Sequence, residues 1–87
     1  PDDRPQVVPL DRQQVTLGRA PSMTVQLDDV YASDEHALVT PTDDGWAVRD
    51  LGSTNGTYLN GAKVTQPTLL SAGDQLRLGK TRVEVRR

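Results

Sequence analysis

The sequence contains no cysteine, no phenylalanine and a single tryptophan, Trp46. The lack of cysteine excludes disulfides and thiolate metal sites and fits a reducing compartment, so we expect a cytoplasmic protein. Because aromatic residues make up only 3% of the chain, the core must consist mainly of valine, leucine and alanine. No apolar run approaches the roughly 18 residues of a membrane-spanning segment, so we expect no membrane insertion.

An excess of positive charge is missing too. The chain has 10 basic and 12 acidic residues and a net charge of -2. Nucleic-acid binding depends on neutralising backbone phosphates, so we do not expect a nucleic-acid partner. The length of 87 residues predicts one small domain. We expect residues 1–5 to be a flexible lead-in and 6–87 to be that domain. The start of the chain is not a signal peptide. Because the chain lacks an initiating methionine, we expect it to be part of a larger protein.

The hydrophobic pattern predicts about ten short β-strands separated by turn residues, because no window keeps the period of a helix. Asn60-Gly61 is the strongest hairpin signal, since both turn positions need a positive φ. We expect the first two extended runs, Gln6–Leu10 and Gln14–Leu17, to form a hairpin. Pro9 indicates that the first of them lies at a sheet edge.

In two further segments, proline indicates a break in regular structure. Pro41 is expected to end the strand that begins at Ala37, and Thr65–Ala72 is expected to be irregular. In the strand that follows Gly45, Trp46 and Val48 are expected to share one face. The pattern as a whole indicates an all-β sandwich or barrel whose loops carry the function.

One loop, Gly52–Thr57, holds three hydroxyls and one carboxamide in six residues. This uncharged polar surface suits an anionic or peptide ligand, but it lacks a positive charge. Arg19 offers a fork of donors for phosphate or carboxylate, and Gly18 before it permits an unusual backbone angle. Together with the Ser33 loop, these groups are sufficient to bind one phosphate dianion.

The sequence does not favour an enzyme. His36 is the only histidine, and a catalytic histidine needs a nucleophile that this chain does not offer, since it has no cysteine and no Gly-x-Ser-x-Gly turn. Ser33, three residues earlier, does not complete a triad in an extended loop. We expect His36 to be buried and to hydrogen-bond its own loop.

Clustered charges are interpreted as solvated surface rather than as binding sites. Four carboxylates within eight residues do not match an EF-hand, so we expect neither a metal nor a cofactor. These solvated loop acids are Asp28, Asp29, Asp34 and Glu35. In the last strand, Arg82, Glu84 and Arg86 alternate with apolar residues, which is typical of an exposed face.

Three segments resemble, in order and spacing, the signature blocks of the forkhead-associated (FHA) domain family. They are Gly18-Arg19, Ser33–Ala37 and Asp50–Gly61. The tail Gly73–Gly79 is similar to the closing strands of that family, and the central block looks most like bacterial, actinobacterial-type members. The resemblance implies a β-sandwich of two twisted, mainly antiparallel sheets with binding loops at one end.

The resemblance also implies a phosphothreonine-binding site. Arg19 would contact the phosphate, Ser33 and Thr54 would donate hydrogen bonds to it, and Asn55 would hold the main chain of the ligand. Residues expected to support these loops are Gly18, His36, Gly52, Ser53 and Gly56.

The implied function is non-catalytic binding of a phosphothreonine-containing protein or a Ser/Thr protein kinase. Asp34 occupies a site position that is often basic or an amide in the family. It must turn away from the phosphate or weaken its binding. The alternative is a phosphate-independent protein interaction domain on the same scaffold, which Asp34 and Glu35 favour.

Overall fold

The computed structural model describes residues 6–10 and 13–86, which form ten strands and no helix. In chain order, the strands are β1 (Gln6–Pro9), β2 (Val15–Gly18), β3 (Val25–Gln26), β4 (Ala37–Thr42), β5 (Gly45–Asp50), β6 (Thr57–Leu59), β7 (Ala62–Lys63), β8 (Thr68–Leu70), β9 (Gln75–Leu78) and β10 (Thr81–Arg86).

These strands form two five-stranded sheets. The first sheet has the order β1-β10-β9-β6-β7 and the second the order β3-β2-β4-β5-β8. Among the described strands, only β1 with β10 and β2 with β3 pair in parallel. The predicted all-β sandwich of mainly antiparallel sheets is therefore confirmed.

The core between the sheets consists only of valine, leucine and alanine among the described hydrophobic residues that are buried. Strand alternation places these side chains: Leu76 and Leu78 of β9 are fully buried, as are Val83 and Val85 of β10. Trp46 packs against this core from β5, on the same face as the buried Val48. The missing aromatic residues are thus replaced by many small apolar contacts.

The predicted hairpin of the first two strands is wrong. β1 pairs with β10 in the first sheet, with Val8 opposite Val85, whereas β2 pairs with β3 and β4 in the second sheet. Val8 is fully buried in this position, so its burial beside β10 explains why the chain crosses between sheets. β1 is an edge strand, as Pro9 predicted. Residues 1–5 and the expected turn at Asp11 and Arg12 lie outside the described residues.

Two other predictions, both made for segments that contain proline, are wrong. β4 continues through Pro41 to Thr42, because Pro41 lies past the last residue of β4 that pairs with β2, and it pairs only with Trp46 of β5. Within the segment expected to be irregular, Thr68–Leu70 forms β8 and closes the second sheet beside β5. The hairpin at Asn60-Gly61 is confirmed, with φ angles of 48° and 90°.

Candidate functional site

The loop between β5 and β6 is organised by the carboxylate of Asp50. Its Oδ2 accepts the main-chain N–H groups of Gly52 and Ser53, each at 3.0 Å. Its Oδ1 accepts the hydroxyls of Ser53 at 2.5 Å and Thr57 at 2.7 Å. Ser53 Oγ then accepts the N–H of Gly56 at 3.0 Å. Many polar groups of this loop therefore form hydrogen bonds that stabilise the loop itself. The side chains of Thr54 and Asn55 remain exposed and accessible to a ligand.

No role was predicted for Asp50, although it is the first residue of the third signature segment. The available signal was an aspartate followed two residues later by glycine, the composition of a turn in which the side chain caps main-chain N–H groups. Partial burial acts to raise the pKa of Asp50, but the hydrogen bonds from Ser53, Thr57 and Gly52 outweigh it and lower the pKa. Asp50 thus stays ionised at neutral pH and stabilises the loop through its hydrogen bonds.

His36 joins this loop to the one before β4. Its side chain is fully buried, Nδ1 accepts the N–H of Ser33 at 3.0 Å, and Nε2 lies 2.8 Å from the carbonyl oxygen of Gly56. Because an amide N–H can only donate, Nδ1 must be the unprotonated nitrogen and Nε2 must carry the hydrogen. The neutral imidazole therefore satisfies one group from each loop and has no nitrogen left for acid–base chemistry.

The other candidate ligand-binding residues converge at the same end of the sandwich. Ser33 Oγ accepts the N–H of Thr54 at 3.1 Å, and Asn55 Nδ2 donates to the carbonyl oxygen of Tyr31 at 2.7 Å. The main-chain N–H of Arg19 donates to the carbonyl oxygen of Ser33 at 2.9 Å. The structure thus brings Arg19, Ser33, Thr54 and Asn55 together from three separate loops.

Gly18 is required for a different reason from the one expected. It does not have a positive φ, but a Cβ on Gly18 would lie 2.1 Å from the carbonyl oxygen of Asp34 and 3.1 Å from the nitrogen of His36. No side chain fits in this space. Glycine here lets the loop of Ser33 pack directly on β2, which places Arg19 beside that loop. By contrast, Gly52 and Gly56 do have positive φ angles, of 78° and 85°.

Asp34 faces the guanidinium of Arg19. The distance from Arg19 Nε to Asp34 Oδ1 is 3.5 Å, and the side chains are 47% and 72% exposed. An exposed ion pair of this kind contributes about 0–1 kcal/mol, so a ligand can displace it. A carboxylate of the chain itself therefore pairs with the one cation that the sequence predicts for the site.

Asp29 supports the candidate site and is not the solvated loop acid that was predicted. Its Oδ1 accepts the N–H of Tyr31 at 2.8 Å, and its Oδ2 accepts the N–H of Lys80 and the hydroxyl of Thr81, both at 2.7 Å. Burial acts to raise its pKa, but the bonds from Thr81, Tyr31 and Lys80 prevail and lower the pKa. Asp29 therefore fixes the Tyr31 loop to the turn between β9 and β10. No local sequence pattern predicts this long-range contact.

Gly79 allows this contact, since a Cβ there would lie 2.8 Å from Asp29 Oδ2. Lys80 extends its ammonium over the ring of Tyr31, 4.4 Å from the ring centre. A second cation thus lies at the same end of the sandwich. No group of three or more acidic or histidine side chains suited to a metal occurs among residues 6–10 and 13–86.

Comparison with known proteins identifies the family of this arrangement. Residues 15–79 match the model of the FHA domain. The chain belongs to the FHA domain family. The FHA domain-containing protein FhaB of Mycolicibacterium smegmatis is 48% identical over 79 residues, which cover 91% of this chain and 51% of that protein. This FHA domain therefore spans about half the length of the curated relatives that it matches. The family and its actinobacterial character, predicted from the sequence, are both confirmed.

Solved structures agree with this assignment. A structure from a study of phosphothreonine-dependent FHA domain interactions is similar with a TM-score of 0.81 and 33% identity, covering 90% of this chain and 80% of the other. The N-terminal FHA domain of an S. cerevisiae protein, in complex with a phosphothreonine peptide, is similar with a TM-score of 0.68 and 35% identity over 77% of this chain and 56% of the other. The described part of this FHA domain holds no helix with the length and hydrophobicity of a membrane span.

Proposed function

We propose that this FHA domain binds phosphothreonine peptides in Ser/Thr-kinase signalling and carries out no catalysis itself. The observation that carries the proposal is the convergence of Arg19, Ser33, Thr54 and Asn55 on one end of the sandwich. The two similar FHA structures, one phosphothreonine-dependent and one with a phosphothreonine peptide, support it. Its partner is a phosphothreonine-containing protein or a Ser/Thr protein kinase.

Each residue has atoms suited to its role. A phosphothreonine carries about -1.5 to -2 charges at neutral pH, and the Arg19 guanidinium can meet two of its oxygens. Ser33 Oγ accepts from Thr54, so its own hydrogen remains available to donate to a phosphate oxygen. The hydroxyl of Thr54 has no hydrogen-bond partner among the described residues and can donate beside it.

Asn55 is suited to the main chain of the peptide rather than to the phosphate. Its Nδ2 already donates one hydrogen to Tyr31, which fixes the orientation of the carboxamide. Its second Nδ2 hydrogen and Oδ1 remain available, and together they match the carbonyl and N–H groups of an extended peptide. Asn55 therefore fixes the position of the ligand main chain by hydrogen bonds and supplies no charge.

Matched peptides that differ only in threonine, phosphothreonine or phosphoserine test the function. We expect measurable affinity for phosphothreonine, weaker affinity for phosphoserine because one methyl worth about 0.8 kcal/mol is lost, and none for threonine. Arg19→Ala should abolish binding, whereas Arg49→Ala, on the outer face of the second sheet, should not change it. Equal affinity for threonine and phosphothreonine, or full affinity of Arg19→Ala, would contradict the proposal.

A second candidate function is phosphate-independent binding of a protein. The ion pair of Arg19 with Asp34 favours it, because a phosphate must displace a carboxylate that is already present. In that case, the unmodified peptide or a folded partner binds equally well to wild type and to Arg19→Ala. The peptide titration separates the two functions in one experiment.

We also infer that the domain acts in the cytoplasm as one part of a larger protein. The curated relatives are about twice as long as the segment that matches them, which supports a further region in the parent protein. Immunoblotting of fractionated cells with an antibody against this domain would test both inferences, through the compartment and the mass of the band.

A further inference from the structure

Four side chains form a row across the outer face of the first sheet. Strand pairing places Lys63 of β7 opposite Tyr58 of β6, Tyr58 opposite Arg77 of β9, and Arg77 opposite Arg82 of β10. The three cationic residues are exposed, and Tyr58 is half-buried. We call Lys63, Tyr58, Arg77 and Arg82 the basic row. With strands about 4.8 Å apart, it is about 14 Å long, the length of roughly four extended residues.

The basic row concentrates positive charge on a chain whose net charge is -2. Arg77 and Arg82 lie directly opposite each other, and like charges in such a pair destabilise a sheet. Among the residues that the structure describes, neither Lys63 nor Arg77 pairs with a carboxylate. Glu84, the next outward residue of β10, is bonded to Arg86 instead. Lys63 and Arg77 therefore remain open to an anionic ligand.

Tyr58 and Arg77 give the row a defined shape. The Arg77 guanidinium lies 4.5 Å from the centre of the Tyr58 ring, so one face of the guanidinium is covered while its N–H edge is free to bind a carboxylate. Tyr58, Arg77 and Arg82 also line a shallow cavity of about 210 Å³, together with the amide residues Asn60 and Gln75. No acidic residue among those that the structure describes lines this cavity.

The row begins at the candidate phosphate site. A Cβ on Gly56 would lie 3.3 Å from Tyr58 Cε1 and 3.4 Å from Lys63 Cε, so both side chains lie against the loop that carries Thr54 and Asn55. A polypeptide anchored at that loop can continue onto the sheet without leaving the surface. From there it meets Arg77 and then Arg82.

We propose that the basic row binds an acidic, extended segment of the polypeptide that carries the phosphothreonine. The link between the two sites rests on the proposed function, whereas the affinity of the row for carboxylates does not. The row supplies several weak, salt-sensitive ion pairs and so adds affinity for partners that have an acidic run beside the phosphorylated residue. Its three cationic groups, one of them stacked on the Tyr58 ring, suit side-chain carboxylates in an extended chain.

The row is tested first without phosphate. Pentaglutamate and pentaglutamine peptides are titrated into the ¹⁵N-labelled chain at low salt. We expect pentaglutamate to shift amides of β6, β9 and β10, and the shifts to disappear in Lys63→Gln/Arg77→Gln but persist in Arg49→Gln. Absent shifts, or shifts confined to the Arg19 and Thr54 loops, would overturn the proposal. So would a single-stranded oligonucleotide that shifts the same amides at a lower concentration than pentaglutamate.

A second experiment tests the link to phosphothreonine. Phosphothreonine peptides carry a run of four glutamates or four glutamines, placed before or after the phosphorylated residue. In one placement the glutamate peptide should bind about fivefold more tightly, and the Lys63→Gln/Arg77→Gln variant should lose only this gain. Equal affinity for both peptides in both placements refutes the link. If no phosphothreonine peptide binds, the proposed function fails, and the pentaglutamate titration still decides the row.

Discussion

His36 Nε2 donates a hydrogen bond of 2.8 Å to the carbonyl oxygen of Gly56, which lies 20 residues later in the chain. The same ring accepts the N–H of Ser33 through Nδ1, so one buried side chain fixes the spacing of two binding loops. Since Asp50 and Asp29 secure these loops from other directions, the exposed residues of the site are held by a polar network beneath them.

Replacing His36 with alanine should lower the free energy of unfolding by roughly 2–4 kcal/mol. The substitution leaves a part-buried N–H and a buried carbonyl group without partners, and each unsatisfied group costs about 1–3 kcal/mol. The midpoint of urea denaturation measures the loss, with Arg49→Gln as a surface control that should not shift it. A change below about 0.5 kcal/mol would show that the two loops hold their positions without the imidazole.

Gly18→Ala should be more damaging than Gly61→Ala, although Gly61 has the unusual backbone angle. At Gly61 a Cβ meets nothing within 4 Å, so alanine costs only the strain of a positive φ, about 1–2 kcal/mol. At Gly18 a Cβ collides with the Asp34 main chain, which must move and take Ser33 with it. Of the two variants, we expect only Gly18→Ala to weaken phosphothreonine binding in addition to lowering stability. Equal effects of the two variants would contradict close packing at Gly18.

Acid should destabilise the domain through Asp50. Its pKa in the folded state is lowered, so it binds fewer protons than in the unfolded chain, and its contribution is complete above the unfolded pKa. As the pH falls from the unfolded pKa through the folded pKa, that contribution is lost. Asp50→Asn should be less stable at neutral pH and should lose less stability between neutral and acidic pH.

Thermal unfolding measured across the acid range tests this sign. Asp43→Asn is the matched control, because Asp43 lies exposed in the turn between β4 and β5. The control should reproduce the acid profile of wild type. If Asp50→Asn also reproduces it, the loop hydrogen bonds do not lower the pKa of Asp50.

Asp34→Asn should bind a phosphothreonine peptide about threefold more tightly than wild type does. A carboxylate about 6 Å from a phosphate costs roughly 0.7 kcal/mol per unit charge in fully screened surroundings, and the exposure of Asp34 favours that lower value. Asp34→Arg should gain more because it adds a cation. Calorimetric titration measures both, and Glu35→Gln serves as a control of equal charge change. No gain for either Asp34 variant would mean that Asp34 turns away from the ligand.

Local sequence patterns predicted most of the strands and the family-defining loops. Asn60-Gly61 predicted its hairpin, since the φ requirement is satisfied within two residues. The alternation of β10 predicted which of its side chains are buried. Local patterns failed where pairing was distant: β1 pairs with β10 rather than with its neighbour β2, and β8 is a strand only because β5 lies beside it.

The sequence by itself determined the valine, leucine and alanine core, the all-β class, and the residue types at the site, because periodicity and turn chemistry depend on neighbouring residues. Only the tertiary structure decided which acidic residue supports the loops and which one pairs with the cation of the candidate site. Asp29 binds groups at Lys80 and Thr81, some 50 residues away, whereas Asp34 pairs with Arg19. Hydrogen bonding and charge act through space, so two carboxylates five residues apart acquire opposite roles only once the chain has folded.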